Sequence, residues 1–449
     1  MKGEPMEFDF TYDETLIENL GKPRISSPIL KEPNIDPDND FTGDNERVLI
    51  HADPAKVSEC FEKGKTPLSF EKAGPRKKIF FDTSKVRCAL VTCGGLCPGL
   101  NDIIRAIVLE LYYRYGVRSI YGIKYGLQGF IPDYGHDIVD LTPEKVVNIL
   151  NTGGSILGSS RGPQEIPDIV DSLERMSVGA LFMIGGDGTL RAATKIAEEI
   201  SKRNLKISVI GIPKTIDNDI YLIARSFGFD TAVDIATEAI KGAHNEAEGY
   251  PNGIGLIKLM GRYSGFIAAT AALARQDVNF VLIPEIDFDL EGKNGLLAAL
   301  EERLNRRKHA VIVVAEGAGQ KFFADSAKER DPSGNVKLND IGIYLKDRIT
   351  HYFHSKGIPI SLKYIDPSYM IRSLPANAND SVFCGFLGRD AVHAAMAGKT
   401  KMIVGHWNNH FVHVPMALSV GKRKQVAPHS KLWRTVLEAT GQGLLKNDS

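Results

Sequence analysis

The sequence predicts an α/β fold with two Rossmann-like domains of mostly parallel sheet, an extended N-terminal arm and a C-terminal extension. From about residue 86 onward, short apolar runs alternate with segments whose apolar residues recur at helical spacing. The apolar runs end repeatedly in glycines and charged residues. Alternation of this kind builds parallel sheets, and 449 residues suffice for two hydrophobic cores.

The segment before residue 86 has little periodicity. Residues 30–40 are rich in proline and acidic side chains, which predicts an extended arm or linker. Regular structure is expected to start with a strand at 86–91, a glycine-containing turn at 92–99 and a helix at 103–111. A further helix is expected to open at Thr142, a capping residue followed by proline.

Residues 180–219 predict a strand, a helix and a second strand, with a polar loop after each strand. The first loop, 185–189, reads Gly-Gly-Asp-Gly-Thr, and the second, 213–219, reads Pro-Lys-Thr-Ile-Asp-Asn-Asp. Open parallel sheets bind ligands outside the carboxyl ends of their strands. Glycine backbone and carboxylates at that edge therefore predict a phosphate and metal site.

The alternation continues to the end of the second predicted sheet. Strands are expected at 254–259, 280–283, 310–315 and 360–365, and helices at 266–273, at 296–304 and from Asp340 to Gly357. The polar segment 320–339 is expected to be a mobile excursion.

The bulk composition excludes several classes of partner. Lys plus Arg and Asp plus Glu both total 55, so the zero net charge gives no support for nucleic acid or a membrane surface as a partner. The five cysteines form no C-x-x-C pair and are expected to be buried in a reducing cytosol. Neither a secretory leader nor an apolar run of transmembrane length is present. We expect a cytoplasmic protein.

The acidic residues of the two loops admit two interpretations. Asp187, Asp217 and Asp219 follow strands that can be neighbours, so they can converge on Mg²⁺ and substrate phosphate, with one carboxylate near the nucleophile. Alternatively, residues 217–219 form a turn whose side chains bond their own backbone. Spacing alone leaves both open.

Other motifs have weaker support. Residues 158–162 match G-x-S-x-G, but no convincing strand precedes them, so the match is interpreted as accidental, although their loop offers one fixed cation, Arg161. Walker, H-R-D and H-E-x-x-H motifs are absent. The histidines at 406, 410 and 413 suggest a metal site, but packing or surface roles are favoured. The basic run 422–424 is interpreted as a solvated face, with an anion effector site as the alternative.

Four motifs together resemble one family. Gly94-Gly95 with residues 98–101, then 185–189, 213–219 and Met260-Gly261-Arg262 occur in the order and spacing of the A-type 6-phosphofructokinases, over about residues 86–397. The glycine loop alone also resembles kinases of NAD or lipid. The sequence is most similar to an atypical ATP-dependent clade within the pyrophosphate-dependent lineage.

The resemblance implies transfer of a phosphoryl group from ATP to the 1-hydroxyl of fructose 6-phosphate, with Mg²⁺. It implies that Asp217 is the base, that Asp187 holds the metal with Asp219 nearby, and that Thr215 helps hold the transferring phosphate. Arg161 would neutralise the donor phosphates, Arg262 and Glu316 would position the sugar, and Lys363 and Arg372 would hold its 6-phosphate beside Met260 and Gly261. The remaining implied residues are Gly95, Gly162, Gly186, Gly188 and Thr189 for the donor, and Ile216, Tyr369, Met370 and Ile371 for the sugar phosphate.

Two residues bear on the donor. In the family an aspartate at the position of Gly188 goes with pyrophosphate, whereas glycine leaves room for the α-phosphate of ATP. Lys214 resembles the pyrophosphate enzymes, but a flexible lysine can swing away, so ATP is favoured. A pyrophosphate-dependent enzyme and a non-catalytic regulatory subunit are the alternatives.

The resemblance also implies a domain division and an assembly. The arm is expected at 1–85, a larger ATP-binding domain at 86–228 with 371–425, and a smaller sugar-phosphate domain at 229–370 with 426–449. The arm resembles an extension that embraces a neighbour, which implies a homo-oligomer, either a tetramer or a dimer. Gly253, Tyr369 and Leu109 depart from the bacterial pattern, which puts bacterial allosteric control in doubt and leaves AMP as an effector without a supporting residue.

Overall fold

The computed structural model describes residues 8–324, 329 and 336–447, and it contains two separate, largely parallel sheets. The strands are β1 (Glu18–Asn19), β2 (Ile25–Ser26), β3 (Arg47–Leu49), β4 (Ser69–Lys72), β5 (Lys78–Ile79), β6 (Arg87–Thr92), β7 (Ser119–Ile123), β8 (Ile138–Asp140), β9 (Val178–Gly185), β10 (Ser208–Pro213), β11 (Gly253–Leu259), β12 (Phe280–Leu282), β13 (His309–Ala315), β14 (Ser361–Ile365), β15 (Lys399–Thr400), β16 (Met402–Trp407) and β17 (His410–Pro415). The helices are α1 (Pro54–Glu62), α2 (Leu100–Leu109), α3 (Ile166–Arg175), α4 (Asp187–Lys202), α5 (Phe229–Glu248), α6 (Phe266–Arg275), α7 (Leu296–Arg307), α8 (Ile341–Ser355), α9 (Ser368–Ser373), α10 (Ala378–Met396), α11 (Met416–Ser419) and α12 (Lys431–Thr440).

The larger sheet has nine strands in the order β3-β4-β17-β16-β10-β9-β6-β7-β8. Its central strands β16, β10, β9, β6 and β7 are parallel, and antiparallel strands flank them. Pro213 at the end of β10 pairs in register with Gly185 at the end of β9. The loops that follow these two strands therefore leave the sheet side by side.

The smaller sheet has four parallel strands in the order β12-β13-β11-β14. Leu259 at the end of β11 pairs with Ala315 at the end of β13, so the loops carrying Arg262 and Glu316 also leave together. The edge strand β12 is covered by the C-terminal segment, where the Gln442 amide bonds both the N–H and the C=O of Val281. The long helix α5 packs on β11 and leads from one sheet to the other.

The predicted α/β fold with mostly parallel sheets is confirmed. Strands β9 and β13 were predictable because both faces are buried, which gives continuous apolar runs. Asp340 caps α8 through the N–H of Ile343, and Gly357 follows that helix with a φ of +67°. Half of the predicted excursion at 320–339 lies outside the described residues.

The prediction of a helix that begins at Thr142 is wrong. The segment instead forms two single 3₁₀ turns, Glu144–Val146 and Ile149–Asn151. Each turn buries an apolar residue, but Val147 between them is 56% exposed, so the segment has no continuous apolar face for a helix to bury. A capping signal alone does not sustain a helix.

The prediction of little regular structure before residue 86 is wrong for part of that segment. Strand β4 extends the larger sheet by pairing with β17, β3 pairs with β4, and α1 lies between the two in sequence. They cover what would otherwise be an open sheet edge. The domain division drawn from the sequence stays a prediction. Among the described residues, no helix is long and apolar enough to cross a membrane.

A buried ion cluster joins β4 to the core. The Glu71 carboxylate is only 5% exposed and accepts hydrogen bonds from Arg76 Nη2 at 2.8 Å, Lys399 Nζ at 3.0 Å and His413 Nδ1 at 3.1 Å. Burial raises the pKa of Glu71, but the hydrogen bond and charge of His413 and the charges of Lys399 and Arg76 outweigh it and hold the pKa well below its usual range.

The substitution Glu71→Gln is expected to lower the free energy of unfolding at pH 7 by about 3–5 kcal/mol, because it leaves buried cations without their counter-charge. The folded-state pKa of Glu71 is depressed, so its stabilisation is present above the unfolded pKa and is lost as the pH falls through and below about 4.3. Urea unfolding at pH 7 and pH 4 measures both effects. Glu59→Gln on the exposed face of α1 is the control, and equal losses in the two variants would contradict the assignment.

Candidate active site

The loops at the carboxyl ends of both sheets meet in a cleft of about 1030 Å³. Most of the site residues predicted from the sequence line it, and these are Gly95, Arg161, Gly162, Gly186, Asp187, Gly188, Thr189, Lys214, Thr215, Ile216, Asp217, Asp219, Arg262, Glu316, Tyr369 and Arg372. The parallel registers explain this convergence, because each polar loop follows a strand whose neighbour ends at the same level.

Five predicted residues do not line the cleft. Met260 is buried behind it and its sulfur accepts a hydrogen bond from Arg372 Nε, while Gly261 fixes the loop with a φ of +127°. Ile371 is buried in the core and Met370 is exposed. The fifth, Lys363, lies with Nζ 5.0 Å from the centre of the Tyr250 ring.

One wall of the cleft is the start of helix α4. Strand β9 ends in Gly185, and the helix begins at Asp187, so its first backbone N–H groups and the positive end of its dipole face the cleft. Gly185 is required by packing, since a Cβ there would lie 2.2 Å from Thr189 Oγ1. A Cβ at Gly188 would meet nothing within 4 Å, so a side chain there would have open space around it. The arrangement suits an anion such as a phosphate.

The other wall carries Asp217. Its Oδ1 atom is buried and has no hydrogen-bond partner among the described residues, and its carboxylate accepts a backbone hydrogen bond from Arg262 across the cleft. Burial, followed by the negative charges of Asp219 and Glu316, raises the pKa of Asp217 to about 7. A carboxylate in this range suits proton transfer near neutral pH.

Thr215 connects the Asp219 side chain to the backbone of Asp217. Its hydroxyl donates to Asp219 Oδ1 at 2.9 Å and accepts from the backbone N–H of Asp217 at 3.1 Å. The alternative in which the Asp217 side chain bonds the backbone of its own turn does not describe this structure, since its backbone partner is Arg262.

Lys214 differs from the expectation of a flexible side chain. It is buried, and its Nζ donates to the carbonyl of Gly95 at 2.7 Å. Burial lowers the pKa of Lys214. The lysine thus ties the first glycine turn to the second loop in this conformation.

The interpretation of residues 422–424 as a solvated face is wrong for Arg423 and for Lys424, whose half-buried side chain donates from Nζ to the carbonyls of Ile223 and Ala224. Lys422 pairs with Asp9 at the surface, but Arg423 enters the cleft, where its Nη1 lies 2.6 Å from Asp219 Oδ2 and its Nη2 lies 3.8 Å from Asp187 Oδ2. Arg191, one turn along α4, also pairs with Asp187 at 2.7 Å. The sequence carries no local signal for Arg423, because its partners lie more than 200 residues earlier.

The three C-terminal histidines do not form a metal cluster. His413 is buried against Glu71, and His406 packs between Phe383 and Phe411. The structure brings together a different trio, His244, Glu248 and His309, with ligand atoms within 4.8 Å of one another, outside the cleft. The G-x-S-x-G match lies in an irregular loop with no strand before it, as expected.

Two largely parallel sheets with glycine turns, acidic loops and fixed cations at their carboxyl ends define the class of α/β enzymes that act on phosphorylated ligands. Residues 87–395 match the family described as phosphofructokinase. The chain therefore belongs to the phosphofructokinase family.

The curated relatives extend the match to nearly the whole chain. An ATP-dependent 6-phosphofructokinase of Borreliella burgdorferi is 51% identical over 440 residues, which is 96% of this chain and 97% of that protein. The ATP-dependent 6-phosphofructokinase of Amycolatopsis methanolica is 46% identical over 96% of this chain and 95% of its own length. The ATP-dependent 6-phosphofructokinase 1 of Arabidopsis thaliana is 45% identical, covering 96% and 88%.

Solved structures agree with the fold. A pyrophosphate-dependent phosphofructokinase from Marinobacter aquaeolei superposes with a TM-score of 0.65 at 19% identity, covering 81% of this chain and 93% of that one. Pichia pastoris phosphofructokinase in the T-state gives a TM-score of 0.62 at 21% identity, covering 76% of this chain and 36% of that one. At such identities the likeness concerns the fold alone.

Proposed function

We propose that this protein phosphorylates fructose 6-phosphate at its 1-hydroxyl, using ATP, to give fructose 1,6-bisphosphate. The observation that carries the proposal is the Asp217 carboxylate. Its buried Oδ1 has no hydrogen-bond partner within the described part of the chain, in a cleft between a phosphate-binding helix terminus and a loop bearing Arg262. The relatives named ATP-dependent 6-phosphofructokinases, at up to 51% identity over nearly the full chain, support the same reaction.

In the acceptor half of the reaction, Asp217 acts on the sugar hydroxyl. Its carboxylate accepts the proton of the sugar 1-hydroxyl as that oxygen attacks the terminal phosphorus of the donor. Arg262, Glu316 and Arg372 hold the sugar phosphate from the loops of the smaller sheet and from α9. Met260 supports this role of Arg372 by bonding its guanidinium.

In the donor half of the reaction, the phosphates are bound by the N-terminus of α4, by Thr215 and by Arg161. Backbone N–H groups and the Arg161 guanidinium neutralise the donor phosphates, and Thr215 helps hold the group in transit. Magnesium fits beside them, because Asp187 and Asp219 direct carboxylate oxygens at one cationic group, that of Arg423. Asp187 would hold the metal with Asp219 nearby, and the bound ion would supply charge neutralisation on the phosphates.

The choice of ATP rests on Gly188. A Cβ built on Gly188 would meet nothing within 4 Å, which leaves room for the remainder of a nucleotide beyond two phosphates. The second candidate is a pyrophosphate-dependent phosphotransferase, which Lys214 favours. Its Nζ is held on the carbonyl of Gly95, so the argument that it swings away does not apply, and ATP is preferred on Gly188 and on the relatives named ATP-dependent 6-phosphofructokinases.

The assembly and location belong to the same proposal. A homo-oligomer, a tetramer or a dimer, is favoured because Tyr369 and Met370 are 82% and 67% exposed beside the cleft, where a neighbouring copy would cover them. The cytoplasm is the proposed location, and the larger and smaller sheets are assigned to the donor and the sugar phosphate respectively.

Coupled assays of the purified protein with fructose 6-phosphate and either ATP or pyrophosphate test the proposal directly. We expect magnesium-dependent turnover with ATP and formation of fructose 1,6-bisphosphate. Turnover with pyrophosphate alone would contradict the donor, and turnover with neither would contradict the reaction.

The substitution Asp217→Asn is expected to lower kcat by about 10²–10⁴-fold, since the amide cannot accept the hydroxyl proton. Binding of fructose 6-phosphate, measured calorimetrically, should change little because the cations that hold its phosphate are intact. Asp133→Asn, at an exposed position outside the cleft, is the matched control. Near-wild-type turnover of the Asp217 variant would mean that another group is the base.

The substitution Gly188→Asp is expected to lower kcat/KM for ATP at least about tenfold, which corresponds to about 1.4 kcal/mol. The new carboxylate would fill the open space beside the donor and repel its phosphates. The KM for fructose 6-phosphate should stay within about twofold. The control is Gly242→Asp, at an exposed position of helix α5 where an added Cβ would also meet nothing within 4 Å. Unchanged ATP kinetics in the Gly188 variant would refute the steric argument.

A further inference from the structure

The segment 421–426 passes through the cleft and contacts both halves of the molecule. The N–H of Gly421 donates to Asp187 Oδ1 at 3.3 Å, and the N–H of Lys424 donates to the carbonyl of Asp219 at 2.9 Å. Residue 423 also forms an antiparallel bridge with Ile220. The backbone of this segment is thereby held against the two loops that carry the acidic residues.

The same segment reaches the loops of the smaller sheet. Gln425 donates to the carbonyl of Tyr263 at 3.0 Å, and the N–H of Val426 donates to Glu285 Oε1 at 2.7 Å. Glu285 Oε1 also accepts the N–H of Gly265, next to the sugar loop. Segment 421–426 is therefore fixed at both ends. Arg423 extends its side chain between the acidic loops, whereas Lys424 Nζ donates to the carbonyls of Ile223 and Ala224.

Arg423 holds its guanidinium between Asp219 and Asp187 and over the Tyr263 ring, with Cζ 4.3 Å from the ring centre. Its side chain is 30% exposed, compared with 53% for Arg191, the other arginine that pairs with Asp187. Asp219 is 5% exposed, so an unpaired charge there would be costly. Arg423 is thus the less exposed of the two arginines that neutralise these carboxylates, and it contacts both of them.

A divalent cation would use the same carboxylate oxygens that Arg423 contacts. The guanidinium and the metal carry charges of the same sign, and close approach of both to the same oxygens is unfavourable. When a metal and a donor arrive together, the donor also brings phosphate oxygens, which match the planar fork of a guanidinium. An arginine displaced from Asp219 thus has a new anionic partner within the same cleft.

We propose that Arg423 is a further residue of the donor site: its guanidinium takes the place of the metal between Asp187 and Asp219 in the free protein, and binds the donor phosphates when the metal is bound. This inference rests on the proposed function for its second half only. The first half concerns the free protein and is tested without turnover.

Calorimetric titration of the nucleotide-free protein with Mn²⁺ tests the first half. Arg423→Gln is expected to bind Mn²⁺ about tenfold more tightly than the wild type, because the cation that lies between both carboxylates is gone, while Arg191 still pairs with Asp187 in both proteins. Lys422→Gln removes the neighbouring charge, which pairs with Asp9 outside the cleft, and should leave the Mn²⁺ affinity within about twofold. Equal Mn²⁺ affinity in Arg423→Gln and the wild type would overturn the proposal.

Steady-state kinetics test the second half. In Arg423→Gln, kcat/KM for ATP should fall at least about tenfold while the KM for fructose 6-phosphate stays within about twofold, a split that a general loss of structure would not produce. Arg423→Lys keeps the positive charge but lacks the planar guanidinium. We therefore expect this variant to fold even if Arg423→Gln does not, and still to show a lowered kcat/KM for ATP. A wild-type value of kcat/KM for ATP in both variants would overturn the donor role. Failure of the proposed function would appear instead as absence of turnover in the wild type, with the Mn²⁺ difference intact.

Discussion

The parallel registers of two pairs of strands are the constraint on which the site depends. β9 ends level with β10, and β11 ends level with β13, so four polar loops leave their sheets at corresponding edges. Because the two edges face each other, the carboxylates of the larger sheet lie opposite Arg262 and Glu316 of the smaller one. A shift of either register by one residue would exchange the side chains that pack on the two faces of those strands, and it would move the two loops of a pair out of level with each other.

The cleft brings several carboxylates close together, and nearby cations and hydrogen-bond donors offset part of their negative charge. Burial, followed by the charges of Asp219 and Glu316, raises the pKa of Asp217, while Asp219 accepts a hydrogen bond from Thr215 and pairs with Arg423. Two carboxylates of a single loop therefore have different surroundings. Environments that push the properties of two neighbouring carboxylates apart are how enzymes assign different roles to the same residue type. In the proposed function, the division is between proton transfer and attraction of cations.

The sequence predicted the parts of the structure that local pattern determines. The apolar runs of β9, β10 and β13 are buried on both faces, and the loops after them carry recognisable glycines and acids, so strands and most site residues could be named. It failed where the determining contact is remote. Glu71 depends on His413, 342 positions away, and Arg423 depends on Asp219, 204 positions away. The helix predicted at Thr142 shows the opposite error. The local capping signal is clear, but no continuous apolar face follows it, and no helix forms.

The central claim is that the phosphoryl group passes directly from donor to sugar within one cleft, with Asp217 accepting the proton and no covalent intermediate on the protein. The most direct test is the stereochemical course of transfer from ATP made chiral at its γ-phosphorus. A single in-line displacement inverts the configuration at phosphorus, and the account predicts inversion in the fructose 1,6-bisphosphate formed. Retention of configuration would require two successive displacements and would contradict it.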